Sequence, residues 1–102
     1  MIIDPRLIQC DSGWNKIVLN CHKELSEIDP FYEVLQIKEK FGGLRYYFQP
    51  QTLVQTTIDK MYDVVRKYES LSLLTCEKCG EPGSAHLLND RWMKTYCDKH
   101  KS

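Results

Sequence analysis

The sequence predicts an α+β fold: a small helix–β-hairpin–helix core with a C-terminal zinc-finger module. Three observations predict it. Apolar residues recur at helical spacing after Gly13 and again after Thr52, and an alternating run broken by a glycine pair lies between them. Three cysteines and a histidine then close the chain in two tight pairs. Residues 1–70 are expected to form the core and residues 71–102 a zinc-binding module packed on it.

The first helix is predicted over about Gly13 to Ile28. Trp14, Ile17, Val18, Cys21, Leu25 and Ile28 follow three- and four-residue steps, while Lys16, Asn20, Lys23, Glu24 and Glu27 face away. Asp11 or Ser12 is the expected N-cap, and Asp29-Pro30 ends the helix because a residue before proline avoids the helical region. His22 falls at the boundary of the stripe, with no carboxylate or nucleophile at a meaningful spacing.

A β-hairpin is predicted over Phe31 to Phe48, with Phe41-Gly42-Gly43 as its turn. Leu44, Tyr46 and Phe48 share one face of the return strand, and Leu35 and Ile37 are expected to join them in the core. The opposite face then carries Gln36, Lys38, Lys40, Arg45 and Tyr47. The second helix is predicted from about Leu53 to Glu69, with a capping box at Thr52 and Gln55. Its buried stripe is Val54, Ile58, Met61, Tyr62, Val65 and Tyr68, and Ser70 to Thr75 is the linker to the metal module.

In that module, Cys76 and Cys79 are separated by two residues, as are Cys97 and His100, with seventeen residues between the pairs. Such spacing lets two tight turns aim four donors at one tetrahedral ion. Gly80 gives the first turn a permissive backbone. Cys76, Cys79, Cys97 and His100 are therefore the expected Zn2+ ligands, and His86, less well spaced, is read as a loop or packing residue. The competing reading, disulfides or unrelated buried thiols, is disfavoured because Met1 to Cys10 has neither the basic start nor the apolar run of a secretory signal. Four protein ligands leave no position for substrate, so this metal is expected to hold structure. Leu73, Leu74, Leu87, Leu88, Trp92 and Tyr96 are expected to cap it. Cys10 and Cys21 are expected as buried free thiols in a reducing cytosol.

At 102 residues with 42% hydrophobic content the chain is long enough for one small folded unit. Fourteen basic residues balance fourteen acidic ones, which argues against a non-specific coat on extended nucleic acid. Nothing suggests a membrane span. No nucleophile with an identifiable base, paired-carboxylate motif, P-loop or dinucleotide fingerprint is present, so enzyme function is the least supported class.

Gly13-Trp14 opening a helix, the run Gln36-Ile37-Lys38-Glu39-Lys40-Phe41-Gly42-Gly43-Leu44-Arg45, and the closing Cys-x2-Cys-Gly…Trp…Cys-x2-His carry a resemblance. Together they resemble a family of small uncharacterised proteins from bacteriophages and bacteria, over nearly the whole chain. The resemblance implies phage or prophage origin, and hence a host-cytoplasmic location. The metal half is also similar to a treble-clef or zinc-ribbon finger. Only Lys101 and Ser102 follow His100 in the sequence, which leaves the usual trailing helix a stub and weakens any expectation of DNA reading.

The hairpin supplies the functional expectation. Lys38, Lys40 and Arg45 offer positive donors, the Gly42 and Gly43 amides a close approach to an oxygen, and Tyr47 a stacking face. This set suits a nucleotide-type small ligand, such as a nucleotide signal of host defence that the protein would sequester. The same residues also read as a solvated strand face whose lysines discourage edge pairing. Two further functions stay open: a module that binds a host protein through exposed aromatics, and a nucleic-acid-binding finger. A homodimer would cover the free sheet edge, as would the zinc module itself.

Overall fold

The computed structural model describes residues 3–88 and 92–100, and they form the expected α+β architecture. Helix α1 (Asn15–Ile28) follows a 3-10 turn over Ser12–Trp14. Trp14, Ile17, Val18, Cys21 and Leu25 are buried, as their spacing requires, and Ile28 packs at the margin. The Asp11 carboxylate makes no capping bond; its backbone N–H instead donates to the Glu77 carboxylate. Asp29 ends the helix in extended backbone. Its buried carboxylate accepts from the Gln51 and Thr52 N–H groups at 2.8 and 3.0 Å, which anchors the segment leading into the second helix.

Strands β2 (Glu33–Lys40) and β3 (Gly43–Gln49) form the hairpin, with Ile37 opposite Tyr46 and Lys38 opposite Arg45. Ile37, Leu44, Tyr46 and Phe48 are buried, but Leu35 is 49% exposed. Its predicted core position is corrected by the register: Val34 pairs with Phe48 and Gln36 with Tyr47, so Leu35 is the extra residue of a β-bulge. Val34 packs against the core in its place. The turn itself is Phe41-Gly42, both at positive φ, and Gly43 already belongs to β3.

One element was not expected. Strand β1 (Ile8–Gln9) pairs parallel to β2, setting Ile8 beside Ile37, and gives a three-stranded sheet of order β1-β2-β3. Parallel neighbours need a long crossover, and α1 provides it. Beneath the sheet, His22 Nδ1 and the Tyr32 hydroxyl share a hydrogen bond of 2.5 Å, and Tyr32 shares another of 2.7 Å with the Tyr46 hydroxyl. These buried polar tips satisfy one another, and burial pushes the Tyr32 hydroxyl up to about 12.

Helix α2 (Gln55–Ser72) runs three residues beyond its expected end, so Ser70–Ser72 are helical rather than linker. The capping box does not form: Val54 is the N-cap, Thr52 Oγ1 accepts from the Val54 N–H, and the Gln55 side chain turns to Asp59. Met61 and Val65 are buried, whereas Val54 and Tyr62 are largely exposed, although the Tyr62 ring lies 4.8 Å from that of Phe48. The last turn of α2 has a use. Glu69 accepts from the Tyr46 N–H at 3.0 Å and Ser72 Oγ from the Leu44 N–H at 2.9 Å, so α2 side chains satisfy part of the β3 edge. Among the described residues no helix is long and apolar enough to cross a membrane.

The metal module adds an antiparallel pair, β4 (Ser84–Leu88) with β5 (Trp92–Tyr96), and Thr75 bridges to Pro82 at its start. Of its expected apolar cap, Leu73, Leu74 and Leu87 are exposed, and among the described residues only Tyr96 packs with Cys76 and Cys97 in a small buried cluster. The side chains of Leu88 and Trp92 lie outside the described part.

Candidate metal centre and basic hairpin

Cys76, Cys79, Cys97 and His100 converge, with their donor atoms all within 4.8 Å of one another. The first turn is closed by the Gly80 N–H donating to the Cys76 carbonyl at 2.9 Å, and Gly80 adopts φ +84°, where a side chain would be strained. The His100 N–H closes the second turn on the Cys97 carbonyl at 3.0 Å. Cys76 Sγ lies 3.6 Å from His100 Nδ1, Cys79 Sγ 3.6 Å from Cys97 Sγ, and Cys97 Sγ 3.2 Å from His100 Nδ1. A tetrahedral ion with bonds of about 2.0–2.3 Å spaces its donors about 3.5–3.8 Å apart, so two of these separations fit and the third is slightly tight. The sulfur pair is too far apart for a disulfide, which needs about 2.05 Å. Burial resists ionisation of Cys76, yet the N–H groups of Cys97, Cys79 and Lys78 at its sulfur outweigh it and bring the thiol down to about 6. The four residues could hold a metal ion in a closed, all-protein site.

This centre is locked to the core by backbone contact. The Gly13 N–H donates to the Glu77 carbonyl at 2.7 Å, and Trp14 Nε1 donates to the Thr75 carbonyl at 2.9 Å. Gly13 is bare because a Cβ there would meet the Glu77 and Cys76 carbonyl oxygens at 2.3 and 2.4 Å. On the other side of the module, Lys94 Nζ reaches Glu39 at 2.7 Å and Glu77 at 3.7 Å. Burial opposes the Lys94 charge, but the two carboxylates more than offset it, and its pKa lies above the usual value. Thr95 Oγ1 donates to the Gly42 carbonyl at 2.6 Å. Metal module and hairpin tip therefore share a buried polar seam that no local sequence pattern announces.

The predicted ligand-binding residues divide in two. Lys38, Lys40, Arg45 and Tyr47 lie together on the outer face, with Lys38 directly opposite Arg45 and its ammonium 5.8 Å from the centre of the Tyr47 ring. Among the described residues none of these three cations has a carboxylate within ion-pair distance. Gly42 and Gly43 are buried instead. The Gly42 N–H donates to Glu39 at 2.8 Å, its carbonyl is held by Thr95, and Gly43 sits against Leu73. The Gly42 amide is thus committed to the fold. Sequence reasoning missed Arg66, which comes from α2 to line the same groove as Lys40 and Arg45. No short-range pattern links positions that far apart.

Compared with protein-family models, with curated proteins and with solved structures, the chain matches none.

Proposed function

We propose that this protein is a small non-enzymatic binder of a phosphate-bearing, nucleotide-type ligand, held in shape by a structural zinc ion. The observation that carries the ligand reading is the group of Lys38, Lys40 and Arg45, together on one face of the hairpin without carboxylate partners among the described residues. Like charges side by side repel, and a bound anion would relieve that repulsion. For the metal, three thiolates and one imidazole in a closed four-donor site favour zinc over harder cations, and leave no open position for catalysis.

The resemblance to phage proteins adds a finer proposal: the ligand is a nucleotide signal of host defence, which the protein sequesters. Net charge of zero and one short cationic face suit a small ligand better than a long polyanion, which engages about six to ten phosphates. Native mass spectrometry of the purified chain with a panel of linear and cyclic nucleotides tests both halves. One zinc per chain and one retained nucleotide are expected, with Arg45→Ala losing the nucleotide and keeping the zinc. Failure of the wild type to retain any nucleotide, or an Arg45→Ala variant that retains it equally, removes the ligand reading.

A further inference from the structure

Between the hairpin tip and α2 runs an open groove, in two connected stretches of about 560 and 380 Å³ that share Lys40, Phe41, Arg45, Arg66 and Glu69. Its cations come from both walls: Lys40 and Arg45 from the hairpin, Arg66 from the helix. The Glu69 carboxylate is turned to the strand edge, where it holds the Tyr46 N–H. Arg66 pairs with Asp63 one turn back, but both are about two-thirds exposed, and such surface pairs exchange partners at little cost. At one end the floor is apolar, formed by Leu73, Ala85 and Met93. The larger stretch falls within the range of about 300–1,000 Å³ typical of small-molecule sites.

Phe41 points to what the groove is for. It is the first residue of a two-residue turn whose two positions have φ 55° and 83°, with Lys40 and Gly43 as the closing pair. Turns with two positive φ values prefer Asn or Asp followed by Gly, and a bulky aromatic at positive φ is strained. Yet the ring is 68% exposed, so burial does not compensate for that strain. Neither local preference nor packing accounts for a phenylalanine here. Its ring lies on the groove, with the Lys40 ammonium 5.7 Å from its centre.

We propose that this groove binds a mononucleotide-sized phosphate ester, its phosphate among Lys40, Arg45 and Arg66 and its base against Phe41. The inference rests on the phosphate-binding reading above and moves the ligand from the open sheet face into the groove. Three cations lining one groove match a dianionic phosphate, and an aromatic face offers the base a stacking surface that tolerates any base.

Isothermal titration of the full zinc-loaded chain with adenosine and guanosine monophosphates, and with inorganic phosphate as the bare anion, tests it. The monophosphates should bind more tightly than inorganic phosphate. Arg66→Ala should weaken them by on the order of tenfold, as loss of a charge-assisted contact does, while Lys60→Ala, an exposed cation of α2 that lines no part of the groove, changes little. Phe41→Asn should weaken binding and yet raise the unfolding temperature by a few degrees, about what relief of one strained residue gives. If Lys38→Ala weakens binding while Arg66→Ala and Phe41→Asn do not, the ligand sits on the open face; the groove is then wrong and the phosphate reading stands. If wild type binds none of the probes, both fall. A Phe41→Asn chain that unfolds earlier, or binds as well as wild type, overturns the role given to the ring.

Discussion

Gly13→Ala is the sharpest probe of how the metal module sits on the core, because the sign of its effect decides the matter. Gly13 lies in a 3-10 turn leading into α1 and its φ is not in the left-handed region, so alanine meets no backbone strain. On helix propensity alone the change should stabilise by up to about 1 kcal/mol. The structure reverses this. The new methyl would lie 2.3 Å from the Glu77 oxygen and 2.4 Å from the Cys76 oxygen, where carbon and oxygen keep roughly 3.3 Å or more. Both are backbone atoms of the turn that carries Cys76 and Cys79, so the turn must retreat by about 1 Å, judged against that contact distance. That retreat breaks the 2.7 Å bond from the Gly13 N–H and loosens the bond from the Asp11 N–H to the Glu77 carboxylate. A backbone bond contributes about 1 kcal/mol and one to a charged group about 1.5–3, which places the loss near 3 kcal/mol. For a chain of this size that is a fall in melting temperature of roughly 10–20 °C. Thermal unfolding followed by circular dichroism, with metal content measured alongside, reads the result. A melting temperature equal to or above wild type would refute the docking of the metal turn on Gly13.

Two other outcomes test the register and the centre. Leu35→Ser should change stability by less than about 0.5 kcal/mol in urea unfolding, whereas Ile37→Ala two positions on should cost about 2–5, because the bulge sends Leu35 outward and leaves Ile37 at 0% exposure. A large loss from Leu35→Ser would mean that no bulge exists. Thiol titration at pH 8 should find three cysteines that become reactive on chelation, and two that stay slow until the core unfolds. Burial, with neighbouring carboxylates, pushes the Cys10 thiol up to about 11 and Cys21 up to about 12, so little of either is thiolate at that pH. Fast labelling of all five after chelation would show instead that the core does not survive loss of the metal.

Much of this fold is legible because its signals are local. The α1 stripe is regular, the glycine turn is unmistakable, and ligand spacing is a property of two tetrapeptides. What the sequence concealed depends on contacts between distant segments. Strand β1 is two residues long, too short to show alternation, and it exists because α1 returns β2 alongside it. The capping box at Thr52 gave way to Asp29, whose carboxylate reaches across from the end of α1 to take the Gln51 and Thr52 N–H groups. Strict alternation places Leu35 in the core, and a single inserted residue inverts that pattern. Arg66 and Phe41 share a groove only because the end of α2 folds beside the hairpin.

Among the described residues of the metal module, Tyr96 alone joins Cys76 and Cys97 in a buried apolar cluster. The module's hold on the core is polar and specific: Gly13 and Trp14 grip the first metal turn, while Lys94 and Thr95 grip the hairpin tip. Thr95 also accepts the Glu77 N–H through its carbonyl at 2.9 Å, so one residue of β5 touches both the metal turn and Gly42. Gly42 follows Phe41 directly. The backbone that orders the metal ligands therefore also fixes the turn carrying the exposed ring, through two hydrogen bonds and no intervening loop. On the proposed reading, an ion held by Cys76, Cys79, Cys97 and His100 would bear on binding through that connection, because losing it would release the strand that holds the hairpin tip in place.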